Sequence, residues 1–148
     1  MTPKLYSALK WGALFGGALA LFETLGYLTS LRSQNLADYQ ISECLSLMLE
    51  AALPFVAGLL AARATGDRVS GLIAGITAGL IVVVINTVTE IVVPADALVK
   101  LADLPADTPQ PTILDALFFR FTTLGLGAWF GWIGGRMGVL TSRRDPDR

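Results

Sequence analysis

Glu23, Glu50, Asn86 and Arg120 stand inside otherwise apolar stretches of this sequence. A charge near the centre of a membrane helix costs about 2.5–3.5 kcal/mol on insertion scales, so such residues are retained for a reason. Two acids and one base at one level can act in two ways. They can form a fixed network in which Arg120 pairs with one or both glutamates and Asn86 completes the hydrogen bonds. Alternatively, the carboxyl left over once a single Arg has been matched holds a proton or a cation that it can exchange, the minimum device of a coupled transporter or proton relay. Glu90 joins this set, one turn above Asn86 on the same face and just before Pro94. An acid at the C-terminal end of a helix opposes the helix dipole, so Glu90 needs water, a cation or Arg120 as company.

The elements that must position these side chains are four apolar stretches, about 7–31, 41–62, 69–93 and 113–140, each at or beyond the ~20 residues that span a hydrocarbon core. Counted inward from the outer ends at about 1.5 Å per residue, Glu23, Glu50 and Arg120 lie roughly 10–14 Å deep, with Asn86 in the same layer. Residues seven or eleven apart fall within about 20° of each other around an α-helix. Glu23 is related in this way to Gly16 and Gly12, Asn86 to Gly79 and Gly75, and Arg120 to Gly127 and Gly131. The glycine series Gly12 and Gly16, Gly71 to Gly75 to Gly79, and Gly127 to Gly131 to Gly135 mark faces where membrane helices approach closely. The polar side chains therefore face helix neighbours.

Glu50 shares its face with Glu43, Ser46 and Pro54, and Pro54 predicts a kink one turn below it. Gly12, Gly16 and Glu23 have the same spacing as Gly75, Gly79 and Asn86, on two helices that run in the same direction. Glycines fill the inner halves of the stretches, while Thr24, Tyr27, Glu43, Ser46, Thr87, Thr89, Glu90, Thr122 and Thr123 fill the outer halves. The expected form is a polar cup opening outward over a closed floor.

The composition agrees with a membrane environment. Of 148 residues, 53% are hydrophobic and only 16% charged, in a chain short enough for one domain. A net charge of −1 leaves no basic field for a nucleic acid. With no His and a single Cys, Cys44, the chain has no ligand set for zinc or haem, no Cys/His nucleophile pair and no internal disulfide. Motifs for phosphate binding, metalloproteolysis, kinase chemistry and a serine nucleophile elbow are missing, so neither a cofactor nor catalysis is expected.

Lys4, Lys10, Arg63, Arg68, Arg136, Arg143, Arg144 and Arg148 fall on one side of the spans, against Arg32 and Lys100 on the other. The positive-inside rule then predicts cytoplasmic termini and a charged cytoplasmic tail over 141–148. The first stretch lacks a small-x-small cleavage site before Arg32 and reads as a retained helix. In the separator 94–111, Asp96, Lys100, Asp103 and Asp107 recur at helical spacing opposite Leu98, Leu101 and Leu104. That pattern fits either a short amphipathic helix on the outer interface or a solvated loop. Thr112 and Asp115 form a capping pattern at the start of the last stretch.

The sequence thus predicts an all-α integral membrane protein, a single four-helix transmembrane domain over 1–148. Its layout resembles that of small bacterial membrane proteins, which implies a bacterial plasma membrane. The first functional reading is a structural or accessory protein that meets lipid, a second copy or a larger membrane complex through its glycine stripes. The second is a small proton- or cation-coupled transporter using Glu23 and Glu50, with Arg120 as counter-charge. An intramembrane enzyme is third.

Overall fold

The computed structural model describes residues 2–33, 36–92 and 113–142. Four helices account for nearly all of them: α1 (Pro3–Ser33), α2 (Leu36–Thr65), α3 (Arg68–Val92) and α4 (Ile113–Ser142). The expected interfacial helix over 94–111, the Thr112 end of the capping pattern and the tail from 143 onward lie outside the described residues, as do the side chains of Glu43, Glu90 and Asp115.

Each described end has a local cause. Pro3 occupies the first turn of α1, where its missing N–H costs nothing, and Thr2 caps that turn by accepting from Leu5 N at 3.4 Å through Oγ1 and from Tyr6 N at 3.1 Å through its carbonyl. At the end of α2, Gly66 takes a left-handed φ of 68° and donates its N–H to Ala62 O at 2.8 Å. This is the glycine termination that satisfies a last-turn carbonyl. Asp67 then caps α3, its Oδ1 accepting from Val69 N at 3.0 Å. Two residues therefore suffice to reverse the chain between α2 and α3. The helices also run past the apolar stretches: Arg32, Ser33 and Asp38 are helical, because loss of hydropathy marks where a membrane ends and not where backbone hydrogen bonding stops.

Three helices contain segments long and apolar enough to cross a membrane: Pro3–Gly26, Cys44–Thr65 and Arg68–Thr89. In α4, also 30 residues long, Arg120, Arg136 and repeated glycines dilute the hydropathy. Helices α2 and α3 lie between α1 and α4 and touch both, as well as each other.

Large and small residues are distributed inside out. The buried apolar positions are mostly alanine (Ala8, Ala20, Ala57, Ala61, Ala62, Ala74 and Ala78), with Leu19 and Val82 among the few larger ones. Leu14, Leu21, Met48, Leu80, Val84 and Phe118 are instead exposed. In water such a surface would drive aggregation. In lipid, where apolar side chains gain nothing by hiding, small residues belong between helices because they let backbones approach.

Candidate functional site

The base of the site is a set of backbone contacts. A methyl group placed on Gly16 would sit 2.7 Å from Ala78 Cα, and one on Gly12 would sit 2.6 Å from Ala74 O, so α1 and α3 touch with nothing between them. On the other side of α3, Gly71 meets Gly135, Gly75 meets Gly127 and Gly131, and Gly79 lies 3.3 Å from Thr123 O by the same measure. All eight glycines singled out by spacing lie at such contacts.

Three further glycines, which the stripes had not included, join α2 to α4: Gly58 against Gly131, Gly134 against Phe55, and Gly138 against Leu59 and Ala62. Their signal was faint, since α2 supplies only Gly58 and otherwise offers alanine and bare backbone. The four-residue spacing of Gly134 and Gly138 was the available clue.

Above these contacts the side chains lengthen. Leu19, Ala20 and Val82 form a buried cluster, flanked by Leu49, Leu53, Ile81 and Ile85. The polar layer begins one turn higher on the same helices. Glu23 on α1 is half-buried and is the hub. The Asn86 side-chain amide on α3 donates to Glu23 Oε2 at 2.8 Å, and the Ser46 hydroxyl on α2 donates to Glu23 Oε1 at 3.4 Å. Glu50, also half-buried on α2, lies one turn from Ser46 and so beside Glu23. Three helices thus converge on one carboxylate.

Arg120 is half-buried on α4, two turns above Gly127 on the same helical face. Glu90 is part of α3. Pro54 lies inside α2 one turn below Glu50 and is fully buried.

The threonines of the outer halves satisfy their hydroxyls within their own helices. Thr24 donates to Ala20 O at 2.8 Å, Thr87 to Val83 O at 2.7 Å, Thr89 to Ile85 O at 3.0 Å and Thr122 to Phe118 O at 2.8 Å. Each spends its proton on its own helix, the usual way a hydroxyl is satisfied inside a membrane. Glu23, Ser46, Glu50 and Asn86 thus form a polar cluster that roofs an apolar plug. Among the described residues no group of three His, Cys, Asp or Glu side chains is arranged to hold a metal ion.

Compared with family models, curated proteins and solved structures, the chain matches none.

Proposed function

We propose that the chain is a small multi-pass transporter coupled to a proton or a cation, with Glu23 and Glu50 as the exchange site. The observation that carries this is that two acids share one half-buried polar cluster, with Ser46, one turn from Glu50 on α2, donating to Glu23. A carboxylate only accepts hydrogen bonds, so two acids held side by side away from water favour sharing a proton. Both oxygens of Glu23 already accept, from Asn86 and from Ser46. Donors of this kind favour a charged acceptor. Glu50 is then the residue that carries the exchangeable proton, donating it to Glu23. A site that must release and recover a proton gains a second acceptor from a neighbouring acid.

In this proposal α4 is a fourth span, supported by its packing on both α2 and α3 through Gly127, Gly131, Gly134 and Gly138. The four helices form a bundle in a bacterial plasma membrane. The Pro3 end of α1 and the Ser142 end of α4 face the cytoplasm, following the bias of Lys and Arg. The carboxyl pair lies toward the outer leaflet, with the apolar plug and the backbone contacts between it and the cytoplasm.

A second reading, a structural or accessory subunit, is favoured by one observation. The outer part of α4 presents Leu114, Phe118, Phe119 and Phe121 outward together, a surface suited to a second copy or a larger membrane complex.

The deciding experiment is infrared difference spectroscopy of the purified protein from about pH 4 to about pH 9, a range that brackets an ordinary glutamate at about 4.3. The expected result is a protonated-carboxyl C=O band at neutral pH that Glu50→Gln removes and that responds to an added monovalent cation. Absence of any such band in wild type, with no response to cation, would overturn the transport proposal and leave the accessory reading.

A further inference from the structure

The floor beneath Glu23 and Glu50 is not closed in the same way on every side. Helices α1 and α3 touch backbone to backbone at Gly12 and Gly16, α3 and α4 at Gly71 and Gly75, and α2 and α4 at Gly58 and Gly134. Helices α2 and α3 come together at the buried alanines Ala57, Ala61 and Ala74. The seam between α1 and α2 is built differently. Gly12 and Gly16 are turned to α3, Gly17 meets nothing within 4 Å, and Gly58 is turned to α4. Side chains occupy this seam instead. Trp11 and Phe15 of α1 pack against the alanine cluster, and above them Leu19 packs with Leu49 and Leu53 of α2.

Each ring precedes a contact glycine by one residue, about 100° around the helix. The rings therefore sit beside the α3 contact, on the side where α2 supplies two of the three alanines. Trp11, Phe15, Leu19 and Glu23 are four residues apart, so one stripe of α1 carries two rings, a leucine and then the acid over about 18 Å. Ser46, Glu50, Leu53, Ala57 and Ala61 descend α2 at spacings of three or four. Trp11 and Phe15 are stacked, with centroids 6.1 Å apart and planes 29° from parallel, and both are half-buried. The exposed Lys10 ammonium lies 5.8 Å from the Trp11 ring centroid, which puts the lower end of the stripe at the water boundary. Broad rings on one wall face alanines on the other. Cutting the rings back would leave a furrow from the charged end up to Leu19, because backbones that touch on the other sides cannot close in to fill it.

We propose that Trp11 and Phe15 are the inner seal of the exchange site, closing the α1–α2 seam so that cytoplasmic water does not reach Leu19 and the two glutamates above it. This rests on the reading of Glu23 and Glu50 as an exchange site and of the Pro3 end as cytoplasmic. The test is attack by a charged, membrane-impermeant methanethiosulfonate on the thiol of Ala57→Cys, in full-length protein that also carries Cys44→Ser. Vesicles captured through an N-terminal tag present the Pro3 end to the reagent. The parent should stay unlabelled, because apolar surroundings suppress the thiolate that reacts. Trp11→Ala/Phe15→Ala should label about tenfold faster or more, the thiol being then open to water. Phe15→Tyr, which keeps the ring, should leave the thiol protected.

Leu14→Ala, on the exposed side of α1, guards against general loosening of the helix and should also leave the thiol protected. Phe15→Ala alone replaces the double substitution where elution shows aggregation. Labelling of the parent would overturn the proposal, and so would labelling of Leu14→Ala as fast as that of the ring variant. A ring variant that elutes as wild type and stays unlabelled would overturn it as well, since the backbone contacts would then close the floor unaided. Labelling reads water access and not the position of a proton. A missing carboxyl band in the infrared experiment would therefore sink the transport reading alone, whereas an unlabelled ring variant with the band intact would sink the seal alone.

Discussion

Asn86 donates to Glu23 across a separation of 63 positions, and almost the same offset, 62, relates Ala74 to Gly12 and Ala78 to Gly16, where the same two helices touch. Helices α1 and α3 run in the same direction, so a nearly constant offset keeps them level along their whole contact. The backbone approach at Gly16 and Ala78 fixes the height of α1 against α3, and two turns later that height brings the Asn86 amide to the Glu23 carboxylate. The polar contact is set from below by residues without side chains of any length.

Removing the donor while keeping the packing tests how much this contact contributes. Asn86→Leu should destabilise the protein by about 0.6–1.7 kcal/mol, the range found for inter-helix hydrogen bonds in membranes. Unfolding from detergent micelles by a denaturing surfactant measures it. An unchanged midpoint would mean that water replaces the amide.

The two glutamates should respond unequally to amidation. Glu50→Gln supplies an N–H donor where the proton of Glu50 is proposed to lie, so the fold should be retained and proton or cation coupling lost. Glu23→Gln removes the charged acceptor shared by Asn86 and Ser46 and should cost about 1–2 kcal/mol more. Thermal melts of the two variants in one detergent decide the order, and the reverse order would place the charge on Glu50.

Glycine position matters more than glycine number. Gly75→Ala drives a methyl group into the backbone of Gly127 and Gly131, whose neighbours are carbonyl and Cα atoms that cannot swing aside. It should yield aggregated or poorly inserted protein. Gly17→Ala, with nothing within 4 Å of the added carbon, should express and elute as wild type. Size-exclusion profiles of the two make the comparison.

The α2–α3 turn lies outside the apolar layer, and water-based magnitudes apply there. Gly66→Ala forces a side chain into a left-handed conformation, φ 68°, and should lower stability by about 1–2 kcal/mol. Gly66→Asn should cost much less, and Asp67→Ala about 1 kcal/mol through loss of the cap. Equal melting temperatures for the Ala and Asn variants would contradict the assigned turn.

Much of the architecture was legible because period and length are local properties. Apolar stretches located the helices, and the glycines seven and eleven residues from Glu23 lie on the face of α1 that meets α3, whereas those below Asn86 face α4. Three things were not legible. Depth along a span placed Glu23, Glu50 and Arg120 in one layer without saying which meets which, because rotation about a helix axis is fixed by neighbours. The hydrogen-bond partners of the threonines were not legible either, because a hydroxyl in a helix always has its own carbonyl within reach, and Thr24, Thr87 and Thr89 use it. The α2–α4 contact was hidden because one partner supplies backbone and alanine in place of a glycine stripe.

An interior built of alanine and glycine has almost no torsions to rearrange, since neither residue has a side-chain rotamer. Backbones already touching at Gly75 and Gly131 can neither move closer nor slide without lifting apart. Among the described residues, the freedom to turn side chains lies in the layer of Leu19, Val82, Glu23, Glu50 and Asn86. The molecule resembles a clamped reed, stiff at the root, with its freedom of movement at the free end.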